Sequence, residues 1–555
     1  MNLAKFVERI FYPLLIAAAL AGMALVVYAT AAGPGVGGDA TIYLTSARNL
    51  LEGRGLGWIE ADGSFRMLPY TPPFYPLALS GVGLFAADLV AGARWLNVAL
   101  FGLTVFLMGV FFYRFSGQAW LAVLLGGFLA LSPVIVNVQV WAMSEPLFLL
   151  LGFTGLMLVL EYLERPSLSA LAGAAVLCGL ALLTRYIGVA FAAAGGLALL
   201  LWLPRAGQTA PRRPLNRLAA ALIFGAIAAL PMVIWLAVDF FSTGTVGSRS
   251  GQPASAYWQR FLEMGPALED IYLFWLLPES VAAQLPGVVR VLLWLVPLAA
   301  LAGLGWAIWR RIAGIQKTAP AALAASDRSA ARMAGLFALF IVIYLAVLAV
   351  VHIFTYPPVT LASRMLSPVH FAFLVLVVAL LHLSLRLMLS AERTGRTVAA
   401  LAVLGILALA GSYTLRSALV ARNYNNTGIG YMAPEWRDAP VLDALRELDP
   451  AVPIISNETT AVMFFADRPA YAVQEIFERG IVEPFTVYGQ GDDEAQRVFR
   501  EEGGALVLFN QTLAEDFARY GNRTDERIRT LTAGLIPYYM GEDGAIYFAP
   551  GRREQ

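Results

Sequence analysis

The sequence predicts a polytopic α-helical membrane protein with about eleven transmembrane helices and a C-terminal α/β domain. Three observations carry this. Hydrophobic residues fill 59% of 555 positions and charged residues only 14%, against roughly half and a quarter in soluble domains. Apolar stretches close to the roughly 20 residues that a spanning helix needs recur along residues 1–420. After Val420 the composition turns to short mixed runs of soluble character. The predicted domains are therefore a membrane domain, 1–420, and a soluble domain, 421–555.

In chain order, candidate spans cover 10–32, 92–113, 119–140, 146–163, 168–184, 186–203, 218–240, 286–309, 334–353, 365–388 and 398–420. The first is too long for a cleaved leader and lacks a small-residue cleavage site. A loop follows it, with Asp39 at its start, a helix over Thr41–Leu51, and glycines at 53, 55 and 57 for turning. Its aromatics Trp58, Phe65, Tyr70, Phe74 and Tyr75 suit the headgroup belt or a sugar face. Residues 74–90 are apolar but short and begin after Pro72-Pro73, which predicts an interfacial or re-entrant helix. Beyond Val420, "EWRDAPVLDALREL" reads as an amphipathic helix and "VPIISN", "RPAYAV" and "ALVLFN" as short strands. "ETTAVMFFAD", "DEAQRVFREEG" and "TLAEDFARYG" read as helices between them, and "LIPYYMGEDGAIYFAP" as a terminal hairpin. Strands alternating with helices predict a mostly parallel sheet.

Orientation follows from basic residues in short loops. Lys5, Arg9, Arg114, Arg165, the cluster from Arg205 to Arg217, the cluster from Arg310 to Arg332, and Arg386, Arg393 and Arg396 fall on one side. That side is expected to be cytoplasmic. An odd number of spans then makes the first loop and the C-terminal domain extracytoplasmic. The scarcity of lysine (Lys5 and Lys317 alone among 39 basic residues) fits a GC-rich bacterial genome and hence the cell (inner) membrane. The Asn-x-Thr triplets at Asn425, Asn457, Asn510 and Asn522 are then chance matches rather than glycan acceptors. The net charge of +1 gives no general attraction to nucleic acid. Cys178, alone in an apolar run, excludes an intramolecular disulfide and a paired-cysteine metal site.

Charged residues recur at the predicted outer helix ends: Asp39, Glu145 in "WAMSEPLF", Arg185 in "LLTRYIGV" and Arg364 in "ASRMLSPVH". Singly, each has a plain explanation. An acid suits a helix N-terminus, and an arginine at an interface can snorkel. Together they fit a sugar transfer: a carboxylate deprotonates an acceptor hydroxyl while guanidinium groups hold a lipid phosphate, itself a good leaving group. His352 and His370 flank the entrance of the tenth span; a lone histidine there is more often packed or hydrogen-bonded than a ligand. A multi-pass transporter should show internal repeats and charges at span midpoints, and neither is evident. Another envelope glycan polymerase or ligase stays open as an alternative.

"YLTSARNLLEGRGL" and "PYTPPFYPLAL" after an acid resemble the first outer loop of GT-C glycosyltransferases, in the bacterial branch related to protein O-mannosyltransferases and lipid A aminoarabinose transferases. "SRMLSPVHFAFLVL" is similar to that branch's Arg-Tyr-Leu-Leu-Pro-type helix start, with Met365 replacing the aromatic. "SEPLF" resembles its second acidic position, and "TRYIGV" its Thr-Arg-Pro-x-Gly-like turn, with Tyr186 replacing proline. "GTVGSRSGQPAS" resembles a mobile outer loop, and "IISNETTAVMFFADRPAYAV" the soluble tail of bacterial members. The resemblance implies an inverting transfer from a polyprenyl-phosphate sugar to an extracytoplasmic glycan, lipid or protein acceptor. Asp39 would be the general base, and Glu145 would shape the site or share a divalent cation with Asp39. Arg185, Arg364, Tyr70, Arg249 and His352 would bind substrate.

Overall fold

The computed structural model describes residues 8–68, 71–203, 215–244, 250–251, 253–318, 324–356, 359, 361–387, 393–473, 498–514 and 523–550. In chain order its main helices are α1 (Phe11–Ala29), α2 (Gly38–Leu51), α3 (Phe74–Gly83), α4 (Leu89–Ser116), α5 (Ala119–Leu131), α6 (Pro133–Gln139), α7 (Glu145–Glu164) and α8 (Leu168–Thr184). Then come α9 (Val189–Trp202), α10 (Arg217–Thr243), α11 (Tyr257–Leu276), α12 (Gly287–Thr318), α13 (Ala325–Phe354), α14 (Ser367–Leu387) and α15 (Arg393–Thr427). The remainder supplies α16 (Pro440–Glu447), α17 (Thr459–Ala466) and α18 (Arg523–Thr532). The chain divides into two compact units: residues 1–29, 69–75 and 94–423, and residues 30–68, 76–93 and 424–555. The structure therefore groups the first loop with the C-terminal segment.

The first unit is a helical bundle. Seven described helices are long and apolar enough to cross a membrane, and an eighth span is the pair α5 and α6 taken together. The shorter α8, the apolar helix over Tyr186–Trp202 and the 35-residue α15 stand at the remaining predicted segments. Helices α7 and α14 form the centre, with almost every side chain buried. Around Phe153 the rings of Phe371 and Phe337 stack and those of Phe191 and Phe340 meet it edge-on. By contrast, α10 and α12 leave Leu222, Leu230, Val288 and Val296 exposed, as lipid-facing helices should.

Two features of the bundle differ from the sequence expectation. Residues 119–140 form a broken span: α5 and α6 meet at 56° around Pro133, which cannot donate to the helix ladder. Side chains satisfy the break. Ser132 Oγ accepts from Ile135 N at 3.3 Å and lies 2.8 Å from His370 Nε2, while Ser417 Oγ donates to the Leu131 carbonyl at 2.7 Å. The second feature, α11, lacks a continuous apolar run because charges punctuate it. Trp258, Phe261 and Leu262 are exposed, and Ile271, Tyr272, Leu273 and Trp275 are buried. Arg416 caps its C-terminus through the Phe274 and Trp275 carbonyls.

At the end predicted to be cytoplasmic, three basic residues are tied to acids. Arg114 pairs with Glu161, Arg332 with Glu164, and Arg386 with Asp327.

In the second unit, α2 starts at Gly38, three residues before the expected helix. An unpredicted hairpin of β1 (Gly57–Ile59) and β2 (Phe65–Met67) follows it. Helix α3 is only 10 residues long, and Ser80 Oγ fastens it to the Ala47 carbonyl of α2 at 3.2 Å. Strands β3 (Ser250–Gly251) and β4 (Thr355–Tyr356) pair in the first unit. The five-stranded sheet of the second unit runs β6 (Tyr471–Ala472), β5 (Ile454–Ser456), β7 (Ala505–Phe509), β9 (Gly544–Phe548), β8 (Ile536–Met540). The first three strands are parallel, and the last two close an antiparallel hairpin. Its core is Ile455, Val498, Phe499, Leu506, Leu508 and Leu531. Asn457 locks β5 to β7 by exchanging two hydrogen bonds with the Phe509 backbone, of 3.1 and 2.9 Å.

Candidate functional site

In the first unit three of the predicted charges converge. Glu145 opens α7 and is 1% exposed. Arg185 Nη1 lies 2.9 Å and Arg364 Nε 3.2 Å from the same oxygen, Glu145 Oε1. A carboxylate this deep needs such pairing, because desolvation alone would cost several kcal/mol. Two positive charges thus face one negative charge. The arginine side chains retain 15% and 35% exposure, so the cations are reachable while the acid is enclosed.

Each member is positioned by local structure. Ser144 precedes α7, yet its hydroxyl makes no capping bond; it accepts from Arg185 Nη1 at 2.9 Å instead. Arg185 ends α8 in extended conformation, and a single 3₁₀ turn, Tyr186–Gly188, follows. That turn folds so closely on α8 that a Cβ on Gly188 would stand 2.6 Å from Leu182 Cα, which explains the glycine. Arg364 lies in the turn before α14, closed by a 2.8 Å bond from Ser367 Oγ to its carbonyl. Met365, the departure from the expected aromatic, places its sulfur 3.3 Å from Arg185 Nη2. Its carbonyl accepts from the Tyr344 hydroxyl at 2.7 Å. Met143 Sδ sits 3.7 Å from Arg364 Nη1. Sequence reasoning missed Tyr344, Met143 and the role of Ser144, since nothing in an apolar helix marks one tyrosine as a turn support.

The other predicted residues stand elsewhere. Asp39 is exposed in the first turn of α2, in the second unit, where an acid also suits the helix dipole. His352, in the last turn of α13, meets the Val359 carbonyl through Nδ1 at 2.7 Å and is largely buried. His370 belongs to the helix break described above, with Trp275 edge-on at 4.8 Å. Tyr70 and Arg249 lie outside the described residues. The second unit also holds a cleft of about 470 Å³, lined by Arg48, Glu52, Asp88 and Phe464 among others. Arg48 follows Asp39 by nine residues, about half a turn around the helix, so the cleft opens on the opposite face of α2.

Glu145 Oε1 faces two guanidinium groups, so a cation at that oxygen would meet both positive charges, whereas Oε2 is buried with no hydrogen-bond partner among the described residues. Among the described residues no group of three or more His, Cys, Asp or Glu forms a metal site.

No protein-family model and no curated protein matches the sequence. Solved structures do match it. ArnT from Cupriavidus metallidurans, crystallised with undecaprenyl phosphate, superposes with a TM-score of 0.52 at 13% identity, over 96% of this chain and 97% of that one. The oligosaccharyltransferase of Archaeoglobus fulgidus, tethered to an acceptor peptide, gives 0.50 at 14% identity, over 99% of this chain and 75% of that one. At such identities the likeness lies in the backbone arrangement, and it extends through the C-terminal sheet as well as the bundle: this chain has the GT-C fold of a polytopic membrane protein.

Proposed function

We propose that the chain is an inverting membrane glycosyltransferase that moves a sugar from a polyprenyl-phosphate donor to an extracytoplasmic acceptor. The observation that carries this reading is the convergence of Arg185 and Arg364 on the buried Glu145, in a fold whose ArnT example was crystallised with a lipid phosphate. Guanidinium groups bind phosphate oxygens in forked, charge-assisted fashion. Here the enclosed carboxylate fixes the orientation of both forks. In the reaction the bond from the anomeric carbon to the phosphate oxygen breaks, and the acceptor oxygen attacks the same carbon from the opposite face. The phosphate gains charge as it leaves, and Arg185 and Arg364 stabilise it there. The acceptor proton passes to a base, a role that the first-loop resemblance gives to Asp39.

Membranes containing the protein, incubated with a panel of lipid-phosphate sugars, should release lipid phosphate with one of them. Arg185→Ala and Arg364→Ala should raise the donor KM, and lysine at either position should recover only part of the loss. Unchanged donor kinetics in both alanine variants would leave these arginines as structural ties of Glu145. Asp39→Asn should keep donor binding and lose on the order of 10²–10⁴ in turnover. Wild-type turnover in that variant would remove Asp39 from the reaction.

A further inference from the structure

We propose that the C-terminal α/β segment clamps the start of the first loop and thereby positions Asp39, with Tyr431, Glu458 and Thr460 as positioning residues. This rests on the base role given to Asp39 above.

The chain leaves β5 through α17 to β6 on one side, then returns through β7 on the other side of β5. The strand order thus reverses beside β5. In open α/β sheets the crevice beyond the strand ends at such a reversal is where ligands bind. Here the chain's own side chains fill it. Glu458 and Thr460 follow β5, and Thr512 follows β7. The Tyr431 hydroxyl lies 2.9 Å from Glu458 Oε1 and 2.8 Å from Thr460 Oγ1. Thr460 Oγ1 and Thr512 Oγ1 reach Glu458 Oε1 and Oε2 at 2.5 and 3.4 Å.

The filled crevice also touches the start of the first loop. Tyr431 N donates to the Val36 carbonyl at 2.8 Å, and Gly430 bridges Val36 in parallel fashion. A Cβ on Gly38 would lie 3.8 Å from Thr460 Oγ1, so the first turn of α2 lies beside the same hydroxyl network. Farther along, Arg48 of α2 pairs with Asp467 just past α17 at 2.7 Å. Gly430 and the Tyr431 amide therefore hold Val36, three residues before Asp39, and Thr460 stands beside Gly38. The acid is exposed, and its helix is anchored at the start and near the end. A pocket that would hold a ligand in a free-standing α/β domain instead holds a segment of this chain.

The test uses the full-length protein in lipid nanodiscs, with variants Tyr431→Phe, Thr460→Val and Thr460→Ser. Hydrogen exchange over residues 33–45 reports the clamp without reference to activity. Transfer kinetics report its consequence. Tyr431→Phe and Thr460→Val are expected to speed exchange over 33–45 and to lower kcat by roughly ten- to a hundredfold, the scale of a misplaced catalytic group. Donor KM should stay unchanged, and Thr460→Ser should restore both readouts. Combined with Asp39→Asn, neither variant should lower kcat further. Unaltered exchange with an inactive Asp39→Asn overturns the clamp alone, and faster exchange with wild-type kcat overturns its positioning role. Wild-type turnover in Asp39→Asn overturns the base assignment, and the positioning role with it.

Discussion

At the scale of single residues, the ion trio concentrates risk in Glu145. Removing one partner of a buried pair leaves an uncompensated charge and typically costs about 3–5 kcal/mol. Glu145→Ala leaves two partly exposed cations rather than an enclosed charge, so it should lower stability by less, about 1–3 kcal/mol, measured as a shift of the unfolding midpoint in detergent. Glu145→Gln keeps the shape and should be milder. A Glu145 that serves the arginines alone predicts that a chelator reproduces neither phenotype; loss of activity in chelator comparable to that of Glu145→Gln would assign a cation to the site. The three charged members were legible in the sequence because they recur together at the predicted outer helix ends, although each alone has a plain explanation. The uncharged members were not. Ser144 is one uncharged residue before the acid, and only the structure shows its hydroxyl turned to Arg185.

At the scale of elements, close helix contacts are set by small residues, as expected where lipid gives no hydrophobic drive between helices. A Cβ on Gly179 of α8 would lie 2.8 Å from the Ala228 carbonyl oxygen of α10, a backbone atom that cannot turn aside. Gly225, also on α10, has nothing within 4 Å of its Cβ position. Gly179→Ala should therefore destabilise by about 1–3 kcal/mol through overpacking. Gly225→Ala should be neutral or stabilising by up to about 1 kcal/mol. Equal melting points for the two variants would count against the tight α8–α10 approach. Helix boundaries were largely legible, because apolar length alone marks a span. The break at Ser132 was not: proline is tolerated in many spans, and what decides its effect here are His370 and Ser417, far along the chain.

At the scale of the whole molecule, loop charges predict a cytoplasmic N-terminus and an extracytoplasmic C-terminal domain. Reporter fusions after Arg114, after Arg332 and at Gln555 should read inside, inside and outside. An inside signal at Gln555 would mean an even number of spans and would separate the first loop from the C-terminal domain by the bilayer. The strands Ile454–Ser456, Tyr471–Ala472 and Ala505–Phe509 and the closing hairpin were legible from residue patterning, whereas the helix over Arg523–Thr532 and the antiparallel joining of that hairpin to β7 were not. The grouping of the first loop with that tail was not legible either, because the bridge between Val36 and Gly430 uses backbone atoms and the Arg48–Asp467 pair joins residues 419 apart.

The broken span has a consequence for biogenesis. Ser132 and the Leu131 carbonyl find their partners 238 and 286 residues downstream. At roughly 5–20 residues per second, the ribosome needs about ten seconds to a minute to deliver them. Until then Ser132 keeps only its local bond from Ile135 N and the Leu131 carbonyl lacks the Ser417 hydroxyl, and a group left unsatisfied at membrane depth costs several kcal/mol. Chains stopped at Leu366 should consequently be held by insertion chaperones or degraded faster than full-length chains, and Pro133→Ala, by mending the helix, should extend their lifetime.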